Sequence, residues 1–246
     1  MKKLIFIVIM GMILQNSFAQ EKKNLFKKVK ADSLKRSKAI PIAVGAIGLG
    51  CALEFSTNTK HWWSNKYSLQ TKLRKAIPNF YTTCDDYLRY GPLALALGLN
   101  LSGRKSEHKI MGQIARYATA HLLMDAVVGR TKKWTAHIRP DGSGYNSFPS
   151  GHTAQAFCAA RFLDKEFGRD RPWVRWLGYS MAVTTGACRV LKNKHWVSDV
   201  LIGAGVGILS VDLTYFVFDK ISQKKKLMIS PVVGRENYGM TLVYRF

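Results

Sequence analysis

Acidic residues are scarce in this sequence, and the shortage is the first constraint on its partners. The chain has 15 Asp and Glu residues against 38 Lys and Arg, which gives a formal net charge of +23. Many of the cations crowd residues 20–38. Such an excess favours an anionic partner, either nucleic acid or anionic lipid headgroups. The export signal and apolar segments described below favour the membrane, so we expect a membrane lipid as the partner, no nucleic acid and no obligate protein partner.

Cysteine is also scarce, and its spacing excludes the common metal sites. The four cysteines are Cys51, Cys84, Cys158 and Cys188. They form neither a CxxC pair nor another spacing typical of metal ligands. Three of them lie in apolar segments, where cysteine is a small core residue, although a disulfide remains open. Because no other residues suggest a metal site, the sequence predicts no metal and no cofactor.

Strand-like alternation is nearly absent from the middle of the chain, which instead has apolar segments rich in Gly and Ala. They cover 39–55, 91–103, 110–129, 152–167, 173–190 and 197–219. We predict an all-α, membrane-embedded bundle of about six helices, in which two glycine groups permit close helix contacts. These glycines are Gly45, Gly48 and Gly50, then Gly203, Gly205 and Gly207. Several segments are short or charged for a bilayer span of about twenty apolar residues, so a peripheral, partly embedded bundle is the alternative.

The two ends of the chain differ from this middle. Residues 1–19 have the charged, apolar and small-residue order of a signal peptide, with an uncleaved anchor as the alternative. Residues 20–38 form a basic arm, and 39–222 would form one helical domain. In the tail, 223–246, partial alternation predicts a short β-hairpin.

The connection at 56–90 mixes aromatic residues with cations. This mixture is typical of a membrane–water interface. It predicts either a rim that receives a lipid headgroup or an aromatic loop packed on the bundle.

One short stretch, 146–153, combines a turn with an imidazole: Asn-Ser-Phe-Pro-Ser-Gly-His-Thr. Pro149 favours the start of a helix, where its missing N–H costs nothing. Ser150 and Gly151 would then present a hydroxyl and bare backbone N–H groups at a helix N-terminus, which favours an anion, phosphate above all. His152 adds a titratable group, although the tetrapeptide alone would fit an ordinary turn.

Two further clusters flank this stretch. Lys132 is followed after six residues by Arg139 and a proline. Arg189 is followed after five residues by His195, and His195 after three more by Asp199. The three clusters together supply three cations, two imidazoles and one carboxylate.

In order and spacing, the clusters resemble the signatures of the type 2 phosphatidic acid phosphatase and vanadium haloperoxidase superfamily. Those signatures are Lys-six-Arg-Pro, Pro-Ser-Gly-His and Ser-Arg-five-His-three-Asp. The one departure is Cys188, which stands where the family more often has serine. The stretches 139–148 and 199–205 also resemble the lipid A phosphatases of Gram-negative envelopes.

The resemblance implies that His195 is the nucleophile and forms a phosphohistidine that water hydrolyses. His195 and Asp199 are four residues apart, so on a helix they share a face, and Asp199 can orient the ring. His152 would be the general acid for the departing alkoxide. The predicted phosphate-binding residues are Lys132, Arg139, Ser150, Gly151 and Arg189.

The residues between the motifs have weaker assignments. Asp141, Tyr145 and Asn146 are candidates for contacts with the substrate beyond its phosphate. His137, inside the first motif, is assigned no catalysis.

These features predict a metal-independent phosphoric monoester hydrolase acting on an envelope lipid. Lipid A phosphate is the leading substrate, followed by undecaprenyl diphosphate, phosphatidylglycerol phosphate and phosphatidate. We expect an inner-membrane enzyme whose site faces the periplasm, although six full spans after a signal peptide would put the site in the cytoplasm. The alternatives are an acid phosphatase for soluble esters, a non-catalytic lipid- or anion-binding membrane protein, and a vanadium haloperoxidase.

Overall fold

The computed structural model describes residues 39–56, 65–224, 227–233 and 238–244. Within these ranges the helices are α1 (Ala39–Phe55), α2 (Lys66–Ala76), α3 (Cys84–Leu88), α4 (Gly91–Leu101), α5 (Ile110–Thr135), α6 (Gly151–Phe167), α7 (Pro172–Leu191) and α8 (Val197–Lys224). The all-α prediction is confirmed, because all six predicted segments are helical. The signal peptide at 1–19 and the basic arm at 20–38 lie outside the described residues.

Two helices that the sequence does not predict, α2 and α3, lie within the connection at 56–90. The side chain of Asn65 begins α2 by accepting a hydrogen bond from the Tyr67 N–H at 2.8 Å, which satisfies one of the unpaired donors of the first turn. The face that α2 buries carries Lys66 and Gln70. Because the buried face of α2 is polar, its sequence shows no helical spacing of apolar residues. The five residues of α3 are too few to show such a spacing.

The core lies where α6 meets α4, α5, α7 and α8. Its buried members are Ala96, Leu99, Ala120, Cys158, Phe162, Leu163, Phe167, Val174, Val211 and Tyr215. Burying one Leu or Phe side chain contributes about 1.5–3 kcal/mol. This packing fixes α6, which carries the Pro-Ser-Gly-His motif at its start.

The glycines of α8 allow that helix to approach its neighbours closely. A Cβ on Gly203 would lie 2.6 Å from the Ser150 carbonyl oxygen, and Gly207 lies against the α6 backbone in the same way. Gly205 faces α1, where a Cβ would lie 2.8 Å from the Ala43 carbonyl oxygen. Gly50 packs against α8, but among the described residues a Cβ on Gly45 or Gly48 would meet nothing within 4 Å. Within these residues the packing prediction therefore does not hold for Gly45 and Gly48.

One helix among the described residues, α8, is long and apolar enough to cross a membrane, over Val197–Ser222. A core helix of a soluble protein meets the same two criteria. After α8, strand β1 (Leu227–Val233) pairs antiparallel with β2 (Tyr238–Tyr244). The predicted hairpin in the tail is thus confirmed.

Candidate active site

The three motifs meet at one end of the bundle. Lys132 is in the last turn of α5, Arg189 is in the last turn of α7, and Asp199 is in the first turn of α8. The Ser150 N–H donates to the Asp199 carbonyl oxygen at 3.0 Å, which joins the starts of α6 and α8. A Cβ on Gly151 would lie 3.8 Å from Cε of Lys132. The structure thus brings the predicted site residues together, while their catalytic roles remain predictions.

His195 is a buried imidazole held beside a buried carboxylate. Its Nδ1 lies 3.5 Å from Oδ2 of Asp199, and the side chains are 2 % and 0 % exposed. The same Asp199 oxygen accepts hydrogen bonds from the Ser147 hydroxyl and from the Trp196 N–H at 3.0 Å. His195 itself precedes α8 by two residues, so its position comes from the turn before the helix as well as from the four-residue spacing.

Burial also sets the charge of His195. Burial is the largest effect, and it lowers the pKa of His195 below the ordinary value. Asp199 opposes this shift, while the cations Lys132 and Arg189 add to it. A neutral ring with Nδ1 turned towards Asp199 has its Nε2 lone pair on the opposite side, which is the state a nucleophile requires.

The second imidazole, His152, also has a carboxylate partner, and the sequence does not predict it. Nε2 of His152 lies 2.9 Å from Oδ1 of Asp86 on α3. Burial, followed by the Arg189 charge, lowers the pKa of His152 to about 4, although Asp86 raises it. A phosphate bound at Arg189 would cancel that positive charge and favour the protonated ring.

A further carboxylate that the sequence does not predict orients Arg189. Oδ2 of the fully buried Asp85 accepts from Nη1 of Arg189 at 2.9 Å, and Oδ1 accepts from the Lys192 ammonium at 2.9 Å. Nε of Arg189 is buried and has no hydrogen-bond partner in the part of the chain that the structure describes. Asp85 therefore fixes one edge of the guanidinium and leaves another donor for a ligand.

Asn146, in the loop between α5 and α6, contacts the other two cations, Lys132 and Arg139. Asn146 accepts a hydrogen bond from the Lys132 ammonium through its backbone carbonyl and another from Nε of Arg139, at 2.8 Å, through its side chain. Gly142 adopts a φ of 72° in the turn that follows Arg139, a conformation that favours glycine. Asn146 thus positions both cations, and its predicted contact with the rest of the substrate remains a prediction.

The start of α6 differs in detail from the prediction. The helix begins at Gly151 with Ser150 as the residue before it, so Pro149 lies two residues before the first helical residue. The Ser150 hydroxyl contacts the Thr153 hydroxyl at 2.9 Å and makes no capping hydrogen bond. The peptide bond before Pro149 is cis.

Lys132, Arg139 and Arg189 lie close together around this site, and burial and repulsion between the cations lower the pKa of the first two. Burial and, after it, the nearby Arg139 lower the pKa of Lys132 to about 8. Burial and then Arg189 lower the pKa of Arg139. Cations that depress one another's pKa gain free energy when an anion binds among them, so the pocket favours an oxyanion.

A second cluster of polar side chains, His137, Glu54 and Lys66, lies beside Asp199. Nδ1 of His137 is 3.8 Å from Oδ1 of Asp199, and Nε2 is 3.3 Å from Oε1 of Glu54. The Lys66 ammonium bonds that Glu54 oxygen and lies 2.9 Å from Nε2 of His137. No apolar period or motif in the sequence predicts Glu54 or Lys66.

Two carboxylate–histidine sets in this region have a geometry that could hold a metal ion: Glu54, His137 and Asp199, and Asp85, Asp86 and His152. In each set a side-chain cation already contacts a carboxylate. Lys66 contacts Glu54, and Arg189 and Lys192 contact Asp85. These contacts are consistent with the predicted metal-independent chemistry, which remains a prediction.

Comparison with known proteins agrees with the motifs. A family model described as PAP2 superfamily matches residues 125–222. The chain is similar to a lipid A 1-phosphatase of Porphyromonas gingivalis, with 40% identity over 144 residues, which is 58% of this chain and 32% of the relative. A lipid A 1-phosphatase of Helicobacter pylori is 26% identical over 78% of this chain and 96% of the relative. Phosphatidylglycerophosphatase B of Bacillus subtilis is 33% identical over 37% of this chain and 51% of the relative.

The matched segments are not whole proteins in every case. The chain spans about a third of the length of the Porphyromonas relative and about half of the Bacillus one. All three clusters, from Lys132 to Asp199, fall inside the segment that the family model matches. Residues 125–222 of the chain therefore match the PAP2 superfamily.

Proposed function

We propose that this protein is a metal-independent phosphatase that removes a phosphate monoester from an envelope lipid, with lipid A as the leading substrate. One observation supports the proposal: the buried His195 lies beside the buried Asp199, close to the cations Lys132 and Arg189 that act on its ring. A site of this kind holds the transferring phosphoryl group by charge and position, which is most of what this chemistry requires.

The reaction would proceed in two steps. Nε2 of His195 attacks phosphorus while its Nδ1 proton stays on the Asp199 side. The bond between phosphorus and the lipid oxygen breaks, and that oxygen takes the proton of His152. Water then attacks the phosphohistidine and gives a proton to the neutral His152. The bond between phosphorus and Nε2 of His195 breaks, so that inorganic phosphate leaves and His195 is restored.

Substrate binding would charge the general acid. Without an anion, burial and the Arg189 charge lower the pKa of His152 to about 4. A phosphate at Arg189 removes much of that repulsion, so His152 would gain its proton when substrate arrives. Asp86, 2.9 Å away, stabilises the imidazolium.

The lipid assignment rests on the relatives and on the surface of α1 and α8. Both lipid A 1-phosphatases and the phosphatidylglycerophosphatase have lipid substrates by name. Ile42, Val44 and Leu49 on α1 are each more than half exposed, and α8 contains the candidate span. We propose an inner-membrane location with the site facing the periplasm, because this is where a lipid phosphatase with an export signal would meet envelope lipids.

A substrate panel tests the proposal. Purified full-length protein in detergent is assayed for phosphate release from lipid A, phosphatidylglycerol phosphate, phosphatidate and p-nitrophenyl phosphate. We expect the largest kcat/KM with lipid A. Radiolabelled lipid A should give an acid-labile, base-stable phosphoprotein in the wild type and none in His195→Ala. A preference for p-nitrophenyl phosphate would favour a soluble-ester phosphatase, and no release from any substrate would favour a binding protein.

A further inference from the structure

Two thiols from distant parts of the chain meet beside the phosphate pocket. Cys84 is the first residue of α3, and Cys188 lies in the last turn of α7, 104 residues later. Their Sγ atoms are 3.7 Å apart. The remaining cysteines, Cys51 and Cys158, have no such sulfur contact among the described residues.

The two thiols differ in access. Cys84 is exposed and Cys188 is buried. The Cys84 N–H donates to the Thr82 hydroxyl at 3.1 Å, which fixes the start of α3. Burial, followed by the adjacent Cys84, raises the pKa of Cys188. An oxidant from solvent would therefore meet Cys84 first, and Cys188 would react second.

We propose that Cys84 and Cys188 form a disulfide that clamps α3 to α7. The oxidant is a small or protein disulfide, of the kind present in an oxidising envelope. Its in-cell supply rests on the envelope location proposed above, but the chemistry of the pair does not.

The exchange balances in two steps. The Cys84 thiolate attacks one sulfur of the oxidant, forms a mixed disulfide and releases the other sulfur as a thiolate. Cys188 loses its proton to solvent, and its thiolate attacks Sγ of Cys84 and releases the second oxidant thiol. The protein loses two electrons and two protons, and the oxidant disulfide gains both as two thiols.

The link would hold the residues that orient the phosphate cation. Cys84 precedes Asp85, and Cys188 precedes Arg189, whose Nη1 lies 2.9 Å from Oδ2 of Asp85. A covalent bond next to both partners keeps the carboxylate on the guanidinium when α3 would otherwise separate from α7. It also closes a loop of 104 residues, which restricts the unfolded chain more than a short loop would.

The test uses full-length protein in detergent, treated with oxidised glutathione after full reduction. We expect the intact mass to fall by two hydrogens and a peptide map to link Cys84 to Cys188. The thermal midpoint should rise by roughly 5–10 °C on oxidation. Cys84→Ser should abolish both effects, and the control Cys51→Ser should keep both.

Three results would overturn the proposal: recovery of both thiols as alkylated cysteines after oxidation, a stable glutathione adduct on Cys84, or a linked protein with an unchanged midpoint. Alkylation of intact cells should find the pair protected until a reductant is added, and free thiols there would contradict the link in the cell. A link that forms in protein releasing no phosphate would support the disulfide and contradict only the proposed function.

Discussion

Two His–Asp pairs in this molecule have the same spacing and opposite surroundings. His121 and Asp125 lie on α5, whereas His195 lies two residues before α8 and Asp199 lies in its first turn. The Nδ1 to carboxylate distances are 3.2 Å and 3.5 Å. The Asp125 side chain is 61 % exposed, whereas that of Asp199 is 0 % exposed. Four-residue spacing therefore brings a carboxylate to an imidazole in both places, but only one pair is shielded from water.

Burial and the neighbouring polar groups distinguish the pair His195–Asp199 from the pair His121–Asp125. Water weakens the interaction of an exposed pair, and such pairs contribute about 0–1 kcal/mol. Around Asp199, the Ser147 hydroxyl and the Trp196 N–H fix the carboxylate, and the cation Lys132 acts on His195. A His–Asp pair acquires a catalytic geometry from what surrounds it more than from its own spacing.

The sharpest test of this comparison replaces the histidine in each pair. His195→Ala removes the proposed nucleophile, and we expect kcat/KM for lipid phosphate release to fall by about 10⁴-fold or more. His121→Ala removes a partly exposed imidazole and should leave kcat/KM within about twofold of the wild type. If both variants lost activity equally, the distinction between the two pairs would be wrong.

The next test replaces each carboxylate by its amide. Asp199→Asn keeps the shape but loses the charge that orients His195, and we expect kcat to fall by about 10³-fold with a small change in KM. Asp125→Asn should have no measurable effect on either constant. Thermal unfolding of Asp199→Asn provides the control, since an unfolded variant would lose activity for another reason. A loss confined to KM would show that Asp199 serves binding instead of orienting the nucleophile.

Sequence motifs are sufficient to predict the site residues that lie close together along the chain. Lys132 with Arg139, and Arg189 with His195 and Asp199, keep fixed spacings, because each group lies at the end of a helix and in the turn beside it. Apolar segments predicted the six long helices for a similar reason, since burial of one face leaves a pattern in the chain.

The residues that the sequence could not predict come from far along the chain or from polar buried faces. Asp85 reaches Arg189 across 104 residues, and α2 buries Lys66 instead of an apolar side chain. A lone carboxylate in a loop-like segment carries no period and no motif. Only the packing of α3 against α7 reveals that Asp85 and Asp86 complete the site.

A third His–Asp pair, His152 with Asp86, is intermediate in exposure and should be intermediate in effect. The side chains are 25 % and 45 % exposed. Asp86→Asn removes the charge that favours the imidazolium, and we expect kcat on lipid A to fall by about 10–100-fold. The loss should be much smaller with p-nitrophenyl phosphate, because its leaving group needs little protonation.

Asp125→Asn is the matched control for this measurement as well. Equal losses of Asp86→Asn on both substrates would contradict a role in protonating the leaving group. That outcome would assign Asp86 to the stability of α3 instead.

The smallest effect concerns the cation beside the buried pair, and its sign follows from the lowered pKa. Burial lowers the pKa of Lys132 to about 8, so the ammonium is charged below that pH and loses its charge as the pH rises through it. We expect kcat/KM to fall by up to about tenfold between pH 7 and pH 9. Lys132→Arg keeps its charge throughout this range and should remove the decline, whereas the exposed neighbour Lys133→Arg should not. If the decline persisted in Lys132→Arg, the titration of another group would limit phosphate binding. The positive charge of Lys132 would then not be a feature that separates the surroundings of the buried His–Asp pair from those of the exposed pair.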